Sequence, residues 1–215
     1  MMFKNVMLFL FFTFSVFSQS GKEPVYKNDS ASYYIQKSVF FEKNGDFQKA
    51  NYNANKAIFL GQKTKNKTAI IDGYFTLSVI HIDLKKYDNA IENLLRTVSI
   101  LNTIPQSSKL ALAYYNLGLC YIKKNDFSTA EDYFNKTNAV YESIDLPSVA
   151  NRVNFEKALL YLDEKKVAIA EKIFLEIAHL PDTVDSFKLQ SEAFYQLGKI
   201  KEIQKENTLA LNYLN

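Results

Sequence analysis

Cysteine is nearly absent from this chain. Cys120 stands alone among 215 residues, so no intrachain disulfide and no cysteine-built metal cluster can form. Placed between Leu119 and Tyr121, it reads as a small buried hydrophobe. Histidine is almost as scarce: His81 and His179 are the only two. The first occupies a packing position, so a core role is expected for it. No His-Glu-x-x-His, phosphate-cradling glycine loop, nucleophile elbow or EF-hand loop occurs. The reading is therefore of a protein that is not an enzyme and holds no cofactor and no metal. Tryptophan is missing, and there are six glycines and four prolines, which excludes collagen-like and low-complexity chains. The net charge is only +3, with Lys and Glu interspersed, so nothing resembles a nucleic-acid-binding surface. Long apolar runs are confined to one place.

That place is the N-terminus. One positive charge, at Lys4, precedes an apolar run over residues 6–17, and Ser15, Ser18 and Ser20 supply small residues around its end. This is the layout of a secretory signal peptide. Cleavage after Ser18 is expected, giving a signal over 1–18 and a polar lead-in over 19–30. The alternative is a retained anchor, against which the run is short of the roughly twenty residues that a membrane span needs. An exported, periplasmic product follows from the first reading.

What the chain has in abundance is order. Ala50, Ala90, Ala130, Ala170 and Ala210 stand forty residues apart, the sign of a stacked repeat array. Twelve residues before each lies a small side chain: Ser38, Ser78, Gly118, Ala158 and Gly198. Nine and three residues before come bulky series, Phe41, His81, Tyr121, Tyr161 and Phe47, Tyr87, Phe127, Val167. Large is expected to face small across a helix pair. Gly45-Asp46, Lys85-Lys86, Asn125-Asp126 and Lys165-Lys166 supply short polar breaks. Each unit reads as helix, turn, helix, in units near 31–68, 69–108, 109–148, 149–186 and an incomplete 187–215. The links between units look longer than the breaks within them. Residues 61–67 are read as a charged link ending on Thr68 as helix cap, and Pro105 and Pro181 punctuate later ones.

Tyr114, Leu117-Gly118, Tyr121, Asp126-Phe127, Ala130 and Phe134 resemble the tetratricopeptide repeat signature. Unit two matches through Tyr74, Leu77, Tyr87, Ala90 and Leu94, and unit five through Phe194, Leu197-Gly198 and Ala210. Unit four departs most, with Asn154 and Lys157 where an aromatic and Leu are usual. The resemblance covers about residues 31–215 and implies an all-α, right-handed α-solenoid of five stacked helix-turn-helix units. It also implies a protein or peptide ligand held on the concave side, which the first helices line.

The residues fifteen, eleven and eight before each alanine share one face of those helices. An aromatic ladder, Phe75, Tyr115, Phe155 and Tyr195, runs beside Val79, Leu119 and Leu159. These seven are the candidate partner-binding residues, with the hydroxyl ends of Tyr115 and Tyr195 expected to reach the groove. The opposing reading buries the stripe between neighbouring units, as apolar helical stripes usually are. The last unit stops inside its second helix and shows no polar cap, so a continuation is expected. The export signal and forty-residue units resemble the extracytoplasmic front part of bacterial sensor kinases and regulators, with the membrane reached through a downstream span. A free-standing periplasmic or surface scaffold is the alternative.

Overall fold

The structure, a computed structural model, describes residues 30–214 apart from 106, 182 and 183. The signal sequence and the lead-in as far as residue 29 lie outside the described residues, as does part of the last link. Ten helices are described: α1 (Ala31–Lys43), α2 (Phe47–Lys63), α3 (Lys67–Asp83), α4 (Tyr87–Leu101), α5 (Ser108–Lys123), α6 (Phe127–Ser143), α7 (Pro147–Asp163), α8 (Val167–Ala178), α9 (Val184–Ile203) and α10 (Asn207–Leu214). They pair in sequence order, each packing on the next, and first helices of adjacent units also meet, α1 on α3 and α7 on α9. All described secondary structure is helical.

A local device produces the pairing. Gly45, Lys65, Lys85, Asn125, Asp145, Lys165 and Lys205 all have positive φ, between 55° and 75°. Each follows a helix C-terminus and reverses the chain, while the next N–H reaches back into the last turn, as from Asp46 to the Phe41 carbonyl at 2.9 Å and from Asn66 to Gly61 at 2.8 Å. Such left-handed closure satisfies carbonyls that the helix end would leave unpaired. The next helix begins at once: Asp46, Asn66 and Asp126 accept at their side chains from the N–H groups of Lys49, Ala69 and Thr129. Ser30 caps α1 in the same way.

The turn therefore recurs at twenty-residue steps within every unit and also between units one and two and units three and four. The link expected over 61–67 is in fact Thr64-Lys65-Asn66 alone. α2 runs on to Lys63, and Asn66, not Thr68, is the cap. Gly61 is what allows this, because a Cβ there would lie 2.9 Å from Ile70 Cγ1. Position 105 breaks the series because proline cannot take positive φ, and the connection opens to span the gap between Leu101 and Ser108.

Ala50, Ala90, Ala130 and Ala170 are fully buried and Ala210 nearly so. The bulk that meets the small series comes from four residues after each alanine, not from the two series expected. Gly118 has no room for a Cβ, which would lie 2.7 Å from Phe134 Cε1, and Gly198 would clash likewise with Leu214. Leu94, Phe134 and Phe174 are wholly buried at this position. In unit one the bulk is only Ala54, and Ser38 fills the space by donating to the Ala50 carbonyl at 2.7 Å. The expected bulky series lie to the side, half-buried except for the buried Tyr161, and Tyr121 stacks on Tyr133 at 5.5 Å.

Unit four's departures also find a use. Asn138 of α6 donates to Asn154 Oδ1 at 2.6 Å, and Lys157 reaches Asn135 of α6 at 2.8 Å, so polar contacts replace an aromatic in that seam. A non-glycine residue in left-handed backbone carries a steric cost. Replacing Lys85 by Gly is expected to raise stability by about 0.5–1 kcal/mol in urea unfolding, relief of strain outweighing added chain entropy; Gly45→Ala should move it the other way.

Candidate functional site, the first-helix stripe

The stripe of the first helices divides by depth. Phe75, Val79, Leu119 and Leu159 are half-buried, and Phe75, Leu119 and Leu159 pack at the margin of the core. Tyr195 is 51% exposed, and the Lys199 ammonium sits over its ring at 5.2 Å. Tyr115 and Phe155 lie elsewhere. Each is only 4% exposed, Tyr115 against Phe134 at 5.7 Å between centroids and Phe155 edge-on to Phe174 at 5.2 Å. They are core residues, not groove residues. The expectation that the Tyr115 hydroxyl reaches a groove is corrected, because it is buried beside Arg152 and Glu156 of the following first helix. The accessible apolar surface is instead the half-buried row Val39, Phe75, Val79, Ile82, Leu119, Ile122, Leu159 and Leu162, closed at one end by Tyr195.

Charged groups that were not singled out in the sequence border this row. Arg152 and Glu192 occupy equivalent places in units four and five, forty residues apart, and their side chains meet at 2.5 Å. The same guanidinium reaches Glu156, one turn along α7, at 3.1 Å and lies over the Phe155 ring at 5.1 Å. Glu156 is 5% exposed, and burial pushes its carboxyl up to about 7 although Arg152 pulls the other way. In units one and two, Glu42 is pushed up to about 7 by burial and by the Asp83 carboxyl, to which it is hydrogen-bonded; burial raises Asp83 too. Arg152 and Glu156 could have been noticed as an i,i+4 pair, and Glu192 by its place in the frame. Depth of burial had no sequence signal.

Burial lowers His81, which shares a 3.1 Å contact with Asn93. Cys120 is buried and its thiol is raised to about 12. Among the described residues no three His, Cys, Asp or Glu side chains gather into a group that could hold a metal ion, and no helix is long and apolar enough to cross a membrane.

Residues 68–143 match the family model described as tetratricopeptide repeat. Within that segment the chain carries tetratricopeptide repeats. Their fold extends well beyond the matched segment. BtubC from P. vanneervenii superposes with a TM-score of 0.74 over 85% of this chain and 76% of its own, at 19% identity. A putative kinesin light chain from Podosopora anserina, with nearly identical TPR-like repeats, gives 0.68 over 85% and 90%, at 14% identity. A Rap protein complexed with Competence and Sporulation Factor gives 0.59 over 85% and 61%, at 15% identity. At these identities the likeness is one of fold. No curated protein matches the chain. The repeats over residues 68–143 and the shared helical-repeat fold fit a protein-interaction module.

Two measurements test this division of the stripe. Tyr115→Ala and Phe155→Ala should each cost about 3–5 kcal/mol of stability in denaturant unfolding, the range for emptying a buried aromatic site. For Glu156 the folded-state pKa is about 7 against an ordinary 4.5, so the folded form binds its proton more tightly than the unfolded form. Its contribution is fully present at low pH and fades as pH rises through that window, by roughly 3 kcal/mol in all. Glu156→Gln should therefore flatten the stability profile between pH 5 and 7 and be more stable than the parent at pH 8, read from urea midpoints across pH.

Proposed function

We propose that this chain is the exported, ligand-detecting part of a signalling protein, and that the half-buried apolar row of its first helices holds an extended peptide or an amphipathic segment of a partner. The observation that carries the reading is that row. Eight apolar side chains from four consecutive units lie partly open along one face, where a protein without a partner gains nothing by leaving them. The first helices α1 and α3, and again α7 and α9, pack on each other, which supports placing the row on the inner side of the array. A Rap protein of related fold, complexed with Competence and Sporulation Factor, supports a ligand of this kind. Export rests on the N-terminal pattern of charge, apolar run and small residues.

The fixed spacing of the row favours an extended segment with side chains anchored at intervals. Tyr195, with Lys199 over its ring, offers an amphipathic anchor at one end, and such aromatics carry much of the affinity where they occur in interfaces.

A photo-crosslinking amino acid placed at Leu159 or Tyr195 should trap a partner outside the cytoplasm. The same group at Lys172, whose side chain is 79% exposed on α8, should not. Equal yields from all three positions would remove the groove. Cell fractionation with an antibody to the first two units separates the sensor from the scaffold: a membrane-bound product is expected, and a soluble one would leave a free-standing scaffold.

A further inference from the structure

A second surface of this array is built differently. From residue 47 to residue 71 the chain has five lysines, at 49, 56, 63, 65 and 67, and no Asp or Glu, although 23 acids are spread over the rest. On α2, Lys49, Tyr52, Lys56, Phe59 and Lys63 follow one another at steps of three and four, so they form one stripe along the helix. Its two aromatics are 65% and 58% exposed. Residues of this size are seldom left so open in pairs on one helical face. Asp46 answers Lys49 at 2.7 Å, and the Lys56 ammonium lies 6.0 Å from the Tyr34 ring centre.

The stripe leads into a depression. Beside Phe59 and Lys63, Gln62 forms one wall of an open cavity of about 570 Å³ between α2, α3 and α4. Ile70, Tyr74, Leu95 and Ile100 supply its apolar lining, and Leu95 is 43% exposed. At its rim the Arg96 guanidinium lies over the Tyr74 ring at 5.6 Å and is held by Glu92 at 2.8 Å. This surface belongs mainly to a second helix and shares no residue with the first-helix row.

We propose that it docks an acidic amphipathic segment of a partner protein. Apolar side chains of that segment cover Tyr52 and Phe59 and enter the depression, while its carboxylates face Lys56, Lys63 and Lys65. Charge complementarity selects the acid: the surface has cations without matching carboxylates in its own stretch. The concavity selects a polypeptide over an anionic bilayer, since a flat headgroup surface would leave the depression and its polar walls, Gln62 and Glu92, unfilled.

The test uses the full chain and a labelled, end-capped amphipathic peptide of about sixteen residues, with Glu on one helical face and Leu and Phe on the other, read by fluorescence anisotropy. Binding is expected, weakened at least about tenfold by Y52A/F59A and by K56E/K63E, with melting temperatures unchanged because these side chains are largely exposed. Raising salt from about 50 to about 500 mM should also weaken it, and a peptide with Lys in place of Glu should not bind. No binding of the acidic peptide, or equal binding by Y52A/F59A, would overturn the proposal. So would loss caused by L159Q but by neither stripe variant, which would put the peptide in the first-helix groove. Capture on phosphatidylglycerol vesicles, sensitive to the stripe variants and without peptide binding, would replace the partner by a membrane surface.

Discussion

Seven left-handed residues, spaced at multiples of twenty positions, set the geometry on which the rest of this array depends. A helix of about seventeen residues followed by a three-residue reversal brings each helix back against its predecessor. Because the reversal is so short, there is little freedom in how the two meet. The contact must then be close, and a small residue on the first helix meets the bulk of the second. Gly118 under Phe134 and Gly198 under Leu214 are two such cases. Ser38 shows the same constraint solved in reverse, with a hydroxyl filling the space above Ala54. Six of the seven turns use Lys, Asn or Asp rather than Gly at φ near 60° within or between units, so packing of the helices, more than preference of the turn residue, holds the reversal.

The same stacking decides what each first-helix side chain can do. Of the residues fifteen before the alanine, Tyr115 and Phe155 are core, Phe75 is half-buried and Tyr195 is open, according to what the neighbouring unit lays over each. Residues eleven and eight before it lie further along the helix and stay half-buried, giving an apolar row of even depth. Charged residues gather on the margins of this row. Arg152 joins Glu156 of its own helix to Glu192 of the next unit, so one guanidinium ties two units together. Glu42 and Asp83 tie units one and two through a shared proton. Each arrangement places one carboxyl that burial raises to about 7, Glu156 and Glu42, at a seam between repeats.

Two surfaces of opposite character result. The first helices offer an apolar row edged by acids, and α2 offers aromatics interleaved with lysine. A solenoid can carry both because its helices alternate between its two faces, and each face is free to diversify once the small residue and the alanine are kept.

The forty-residue alanine frame, the small series before it and the polar breaks were all readable in the sequence, and they were enough to state the helix pairs, their order and the all-helical stacked fold. They were readable because backbone reversal and close approach tolerate few residue types. The twenty-residue pitch was hidden, since Thr64-Lys65-Asn66 carries no glycine or proline and only helix packing forces Lys65 into positive φ. The partner of the small series was misassigned for a related reason: three bulky positions compete for it, and helix rotation chooses among them. Burial along the first-helix stripe was beyond the sequence too, because Phe75, Tyr115, Phe155 and Tyr195 are equivalent in the repeat and differ in what the neighbouring unit places over them. The sequence by itself determined which helices form and how they repeat, through local sterics. Tertiary structure alone decided which side chains remain available to a partner, because that depends on contacts between units that are distant in the chain.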